Sequence, residues 1–291
     1  VKPAAFEYYC PRTLEEAMAL LAEHGSDAKP LAGGQSLIPA MNFRLATPAV
    51  LVDLNAIPSL SHVTSEGNVL RLGAMTRHRT VERSAVVVRH TPLVTATLPF
   101  VAHPAIRTRG TIGGSLAHAD PAAELPAVML ALDARFTIQR RQESRVIAAA
   151  DFFTGLFSTA LEAGELLTDI EISHQGPRTG HAFDEIARRH GDFALAGAAA
   201  AVSIDELGQC RAARVALLGI ADRPLLSNHV ASTLVGQVPS AEAIRAAAED
   251  AATHDLDPPG DIHASSRYRR HLAAVLMRRV LERAFASAAT S

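Results

Sequence analysis

Cysteine is scarce in this 291-residue chain, which has only Cys10 and Cys210. Two thiols in unrelated contexts exclude a disulfide framework and cannot supply the four cysteines of an iron–sulfur cluster, so any such cluster must sit on another polypeptide. A formal net charge of −2 removes the electrostatic case for nucleic acid. No apolar run approaches the roughly 20 residues of a membrane span, and the first residues lack the basic-then-apolar order of an export signal, so a cytoplasmic location is expected. The thirteen histidines form no H-E-x-x-H, H-x-H or Cys/His ligand run, and no metal site is expected. G-x-S-x-G is absent, and no nucleophile with its base stands out.

What the chain does have is a glycine pattern used twice, Ala32-Gly33-Gly34-Gln35-Ser36-Leu37 and Thr111-Ile112-Gly113-Gly114-Ser115. A Gly-Gly turn leaves main-chain N–H groups where no side chain blocks an anion, and the hydroxyls of Ser36, Thr111 and Ser115 add donors. The spacing is not the G-x-G-x-x-G of a Rossmann site, and no lysine follows as in a P-loop. One Gly-Gly alone reads as a turn. Two with matching hydroxyls predict a clamp on the diphosphate of a dinucleotide, without phosphoryl transfer. Arg107 and Arg109 are candidates for adding positive charge beside it.

The length suits two domains. Phe6 to Tyr9 reads as a strand, and Thr13 with Glu16 forms a capping box for a helix that Gly25 ends. Strands are expected to end at Leu31-Ala32 and to run over Val50 to Asp53 and Val69 to Gly73. Val81 to Leu98 reads as helical, and His103 to Gly110 as irregular. Asp120 is placed as the cap of a helix with Pro121 in its first turn. Strands follow at Arg135 to Arg140, Val146 to Ala149, Leu166 to Ile172, His181 to Arg188, Phe193 to Ile204 and Cys210 to Ile220. Gln175 to Gly180 is the best linker, which divides the chain into residues 1–176 and 177–291. Three helices finish it, the last over Ser265 to Phe285 with six arginines, read as a solvated face or a partner-facing surface.

With their flanks, LAGGQSLIPAMNFRLATP (Leu31 to Pro48) and RTRGTIGGSLAHADPAAELPA (Arg107 to Ala127) resemble the FAD-binding medium subunits of molybdenum hydroxylases, the carbon monoxide, xanthine and nicotine dehydrogenase type. GELLTDIEI, ARRHGDFALAG and YRRHLAAVLMRRVL extend the resemblance over nearly the whole chain. It implies an α+β fold: a PCMH or vanillyl-oxidase-like FAD-binding domain of two subdomains, then a C-terminal domain of antiparallel sheet and helices like that of the carbon monoxide dehydrogenase flavoprotein. It also implies that Ala32, Gly33, Gly34, Gln35, Ser36 and Leu37 with Thr111, Ile112, Gly113, Gly114 and Ser115 hold FAD. Asp120, Glu124 and Leu167 match positions near flavin or adenine, and Phe193 matches an aromatic position beside the isoalloxazine. Many relatives carry a basic residue in the strand matching Phe183 to Ala187, where Asp184 and Glu185 here are acidic, and Gln35 replaces a histidine of some members.

The implied role is electron transfer by an oxidoreductase subunit. Substrate is hydroxylated at a molybdenum cofactor on a large subunit, and electrons cross two [2Fe-2S] clusters of a small subunit. They leave through FAD on this chain to an external acceptor, in a dimer of heterotrimers. Two alternatives stay open: a flavin- or nucleotide-binding module without turnover, and a stand-alone flavin oxidase of the same fold.

Overall fold

The computed structural model describes residues 2–141 and 143–291. Strand β1 (Glu7–Tyr9) leads to helix α1 (Leu14–His24), whose capping box has Glu16 N donating to Thr13 Oγ1 at 3.2 Å. Gly25 ends that helix at φ +53°, a conformation that disfavours other residues. Next come β2 (Ala28–Leu31), α2 (Leu37–Asn42) and β3 (Val50–Asp53). These strands form a parallel sheet in the order β1-β3-β2, with the residues of β3 all buried. Ala17, Met18 and Leu21 of α1 pack with Val50 and Val52 into a core of their own.

Strands β4 (Val63–Glu66) and β5 (Val69–Gly73) form a hairpin. The segment expected as one helix over Val81 to Leu98 is broken into α3 (His78–Glu82), α4 (Ala85–His90) and α5 (Pro92–Thr97). Ser84 caps α4 through Val87 N, and Pro92 suits the first turn of α5 because it lacks the amide that would continue the preceding helix. His103 to Gly110 is likewise not wholly irregular: it contains α6 (Pro104–Arg107). The second glycine motif is the first turn of α7 (Ile112–His118), capped by the Thr111 hydroxyl. Asp120 does not cap a helix at Pro121. Its carboxylate accepts from Ala122 N at 2.9 Å in a local turn, and α8 (Glu124–Ala131) starts later, fully buried.

After α8 come β6 (Arg135–Arg140), β7 (Glu143–Ala148), α9 (Ala149–Phe152), the short pair β8 (Phe153–Gly155) and β9 (Ser158–Thr159), and β10 (Leu166–Ser173). The second sheet, antiparallel, runs β4-β5-β10-β6-β7. A third, also antiparallel, takes β11 (Thr179–Ala187), β12 (Ala194–Ile204), β13 (Cys210–Leu218) and β14 (Leu225–Leu226) in chain order. Helices α10 (Asn228–Leu234), α11 (Ala241–His254) and α12 (Ser266–Ala288) follow.

Alanine dominates β12 because both its faces are buried. Ala196, Ala198 and Ala200 pack with α10, α11 and α12, while Ala194 and Ala199 join the large core built around α8 and the five-stranded sheet. Small side chains there let helices approach from both sides. The arginines of α12 do not share one role. Arg269 is buried and donates to Leu195 O, Gly219 O and Asp261, whereas Arg270, Arg278 and Arg283 pair with Asp257, Glu282 and Asp184.

Candidate functional site

Parallel pairing of β2 with β3 sets Leu31 opposite Asp53, so the chain leaving β2 enters the first glycine loop beside the carboxyl end of β3. There a cavity of about 370 Å³ opens, walled by Ala32 to Gln35, Ile38, Pro39, Asp53, Asn55 and Arg109. The loop is held at three points. Gln35 Nε2 donates to Gly33 O at 3.0 Å, Asn55 Nδ2 donates to Ala32 O at 2.9 Å, and Ile38 N reaches Gly34 O at 3.1 Å. Gly34 sits at φ +72°, the left-handed region where a side chain is strained.

Glycine at position 33 has a second reason, close approach: a Cβ there would lie 2.4 Å from Arg109 O and 2.8 Å from Gly110 Cα. The two glycine motifs therefore meet in space. A Cβ on Gly114 would come within 3.2 Å of Ala32 Cβ, and one on Gly113 within 2.4 Å of Ala74 Cβ.

The motifs are not equivalent. Among the described residues, the N–H groups of Gly33, Gly34, Gln35 and Ser36 have no hydrogen-bond partner. In the second motif, Ile112, Gly113, Gly114 and Ser115 donate to Thr76 O, Ala74 O, Thr111 Oγ1 and Thr111 O at 2.8–3.1 Å. The expectation of bare main-chain donors in both turns is thus corrected. The second pair is a packing device that seats a helix against the first loop, and what it has to offer is the Ser115 hydroxyl, which, like that of Ser36, makes no hydrogen bond within the described chain.

Buried His78 supports this arrangement. Its Nε2 lies 2.9 Å from Thr111 O, its main chain donates to Gly110 O at 2.9 Å, and burial pushes its pKa down to about 4. A neutral ring with its proton on Nε2 satisfies that carbonyl.

Two guanidinium groups supply positive charge. Arg77 donates to Arg109 O and to Asn55 Oδ1, and burial followed by the charge of Arg109 lowers its pKa. Arg109 itself lines the cavity and has no carboxylate partner among the described residues. Arg107 turns the other way, into contacts with Glu82, Val101 O and Ala102 O. Opposite, Asp53 accepts from Tyr8 Oη at 2.5 Å and from Asn55 N at 2.9 Å. Asp53, Asn55 and Arg77 escaped the sequence reading, although strand pairing of the loop with β3 is a signal that would have found the first two.

The remaining expected residues lie elsewhere. Leu167 is buried in the large core, next to Thr168, whose carbonyl accepts from Ala74 N, which in turn ties to Gly113. Phe193 stands 69% exposed just before β12 and makes no aromatic pair among the described residues. Glu124 is buried at the start of α8, where burial and then the charge of Asp120 push its carboxyl up to about 7. Glu185, on β11, is pushed up to about 8 by burial, then by Glu124 and Asp184, and its Oε2 is buried without a partner. Asp184 pairs with Arg283 at 3.0 Å.

The donor set suits a dinucleotide diphosphate: consecutive free amides, free hydroxyls and an unpaired guanidinium beside a glycine loop. Residues 4–174 match the FAD binding domain in molybdopterin dehydrogenase, and residues 181–284 match the CO dehydrogenase flavoprotein C-terminal domain. The chain belongs to the FAD-binding medium subunits of molybdenum hydroxylases, and is an oxidoreductase subunit with FAD as its cofactor. It is 40% identical to the 6-hydroxypseudooxynicotine dehydrogenase complex subunit alpha of Paenarthrobacter nicotinovorans, over 98% of this chain and 96% of that protein. It is 38% identical to the carbon monoxide dehydrogenase medium chain of Afipia carboxidovorans, over 98% and 99%. The fold superposes on carbon monoxide dehydrogenase from Hydrogenophaga pseudoflava with a TM-score of 0.96 at 36% identity, covering 99% of each chain. No helix among the described residues is long and apolar enough to cross a membrane.

Proposed function

We propose that this chain is the electron outlet of a three-part molybdenum hydroxylase, taking electrons from two [2Fe-2S] clusters of a small subunit and delivering them to an external acceptor. A large subunit bearing the molybdenum cofactor oxidises the substrate. The observation that carries this reading is the run of unpartnered main-chain N–H groups of Gly33, Gly34 and Gln35 in the wall of a cavity shared with Arg109, continued by the free N–H of Ser36 next in the chain. The full set proposed to hold FAD is Ala32 to Leu37, Thr111 to Ser115, Asp120, Glu124, Leu167 and Phe193, to which Arg109 and Asn55 are added. Flavin supplies a carrier that accepts electrons singly or in pairs.

The chain's own residues bind and position. The Gly33–Ser36 amides, the Ser36 and Ser115 hydroxyls and the Arg109 guanidinium bind the diphosphate, and His78 fixes the segment that carries Arg109 and Thr111. Glu185 holds a proton near neutral pH, so this acidic residue, in a strand where many relatives carry a basic one, does not oppose a developing negative charge. Phe193 shields an apolar ring face from water. With two cysteines the chain cannot ligate a cluster of its own, which supports a separate iron–sulfur subunit. Division at Gly176, a dimer of heterotrimers and a cytoplasmic location complete the proposal.

Purification of the native complex tests it. Stoichiometric FAD, two co-eluting subunits and bleaching of the flavin spectrum by the complex's substrate are expected. A flavin-loaded chain with no such partners would favour a binding module, and substrate oxidation by the isolated chain would favour a stand-alone oxidase.

A further inference from the structure

Far along the chain from the glycine loops, α10 and α11 bring together a second cluster. His229 lies in the first turn of α10. Asp250 and His254 are four residues apart near the end of α11, a spacing that puts both on one helix face. One potential ligand atom from each of the three lies within 4.8 Å of the others. The two imidazoles are stacked, with ring centres 5.2 Å apart and planes 21° from parallel.

The surroundings fix these side chains. His229 Nδ1 is 2.5 Å from Asp255 Oδ1, and Asp255 Oδ2 accepts from Ser227 Oγ at 2.5 Å and from His229 N at 3.2 Å. A carboxylate bonded to one ring nitrogen leaves the other nitrogen as the free lone pair and fixes the ring's direction, which is the arrangement found behind metal-bound histidines. His254 Nδ1 lies 3.0 Å from Asp250 Oδ1 and 3.0 Å from Asp250 O, so the second ring and the carboxylate are held side by side. The site is open to solvent on one side, where water can complete the coordination.

We propose that His229, Asp250 and His254 bind a divalent transition-metal ion of the zinc type, with Asp255 as the residue that positions His229. Two imidazoles and one carboxylate suit zinc and its neighbours in the first transition row and disfavour magnesium or calcium, which prefer oxygen. The bound ion joins the start of α10 to the end of α11. The sequence hides the site because its ligands are separated by most of two helices and a loop.

The test is calorimetric titration of the purified complex with Zn²⁺, in a Cys10→Ser background because an exposed thiol such as Cys10 competes for zinc. One saturable equivalent per copy of this chain is expected, with a raised melting temperature. His229→Gln, His254→Gln and Asp250→Asn should each weaken binding by about tenfold or more and abolish the melting shift, and Asp255→Asn should weaken it by about tenfold. Circular dichroism confirms folding, and Asp250→Asn, a near-isosteric change at a half-buried helix position, keeps the test informative should a histidine variant unfold. Uptake unaffected by these substitutions, or no saturable uptake below millimolar Zn²⁺, would overturn the assignment.

Discussion

Glu124→Gln should stabilise the protein increasingly as pH rises above about 4.5, with the full effect at neutral and alkaline pH. Burial raises the Glu124 carboxyl from 4.5 to about 7. Each unit corresponds to about 1.4 kcal/mol of differential interaction, so the ceiling is about 3 kcal/mol. The sign follows from proton counting. Between pH 4.5 and 7 the folded chain keeps a proton that the unfolded chain releases, so stability falls as pH rises through that window. Below pH 4.5 both states are protonated and nothing is lost; above pH 7 the full cost of burying the charge is present. Glutamine keeps the shape and cannot ionise.

The difference between variant and wild type should therefore be near zero at pH 4.5 and approach about 3 kcal/mol in favour of the variant at pH 8. The depressed His78 contributes the opposite slope, stability rising from about pH 4 towards the ordinary histidine range, but it is common to both proteins and cancels. Glu185 reinforces the effect, since removal of its charged neighbour lowers its own pKa. Urea unfolding of the flavin-free chain across this pH range measures it. Parallel curves, or a variant less stable at pH 8, would refute the reasoning.

Gly33→Ala places a methyl 2.4 Å from Arg109 O and 2.8 Å from Gly110 Cα, backbone atoms that must yield. A loss of about 1–3 kcal/mol in stability is expected together with a fall in the flavin-to-protein ratio, read by thermal melting and absorbance. Arg109→Gln leaves the packing in place and removes one charge-assisted contact of about 1.5–3 kcal/mol, so FAD should bind roughly ten- to a hundredfold more weakly with melting of the flavin-free chain unchanged. Equal FAD affinity would remove Arg109 from the site.

Features written into local sequence were legible. The Thr13–Glu16 capping box, the alternating or apolar strands β3, β5, β6 and β10 to β13, and the Gly33–Gly34 turn follow from short-range chemistry. Elsewhere the pattern misleads, through competing local signals or through neighbours in space. Val81 to Leu98 has a helical pattern throughout, yet Ser84 and Pro92 restart the helix twice. Thr111-Ile112-Gly113-Gly114 looks like an anion turn, but Ala74 and Thr76, just after β5, take up the amides of Gly113 and Ile112. Pro121 looked like a helix start until Asp120 closed a turn on Ala122 instead. In the cavity, Arg109 was seen because it adjoins the motif, whereas Arg77 arrives from a distant element and left no mark near the glycines.

A crystal structure of the chain loaded with FAD tests the central claim most directly. The diphosphate should lie within hydrogen-bonding distance of the Gly33 to Ser36 amides, with the Arg109 guanidinium and a serine hydroxyl, Ser36 or Ser115, on its oxygens. A diphosphate anchored away from that loop, its amides still without a partner, would contradict it.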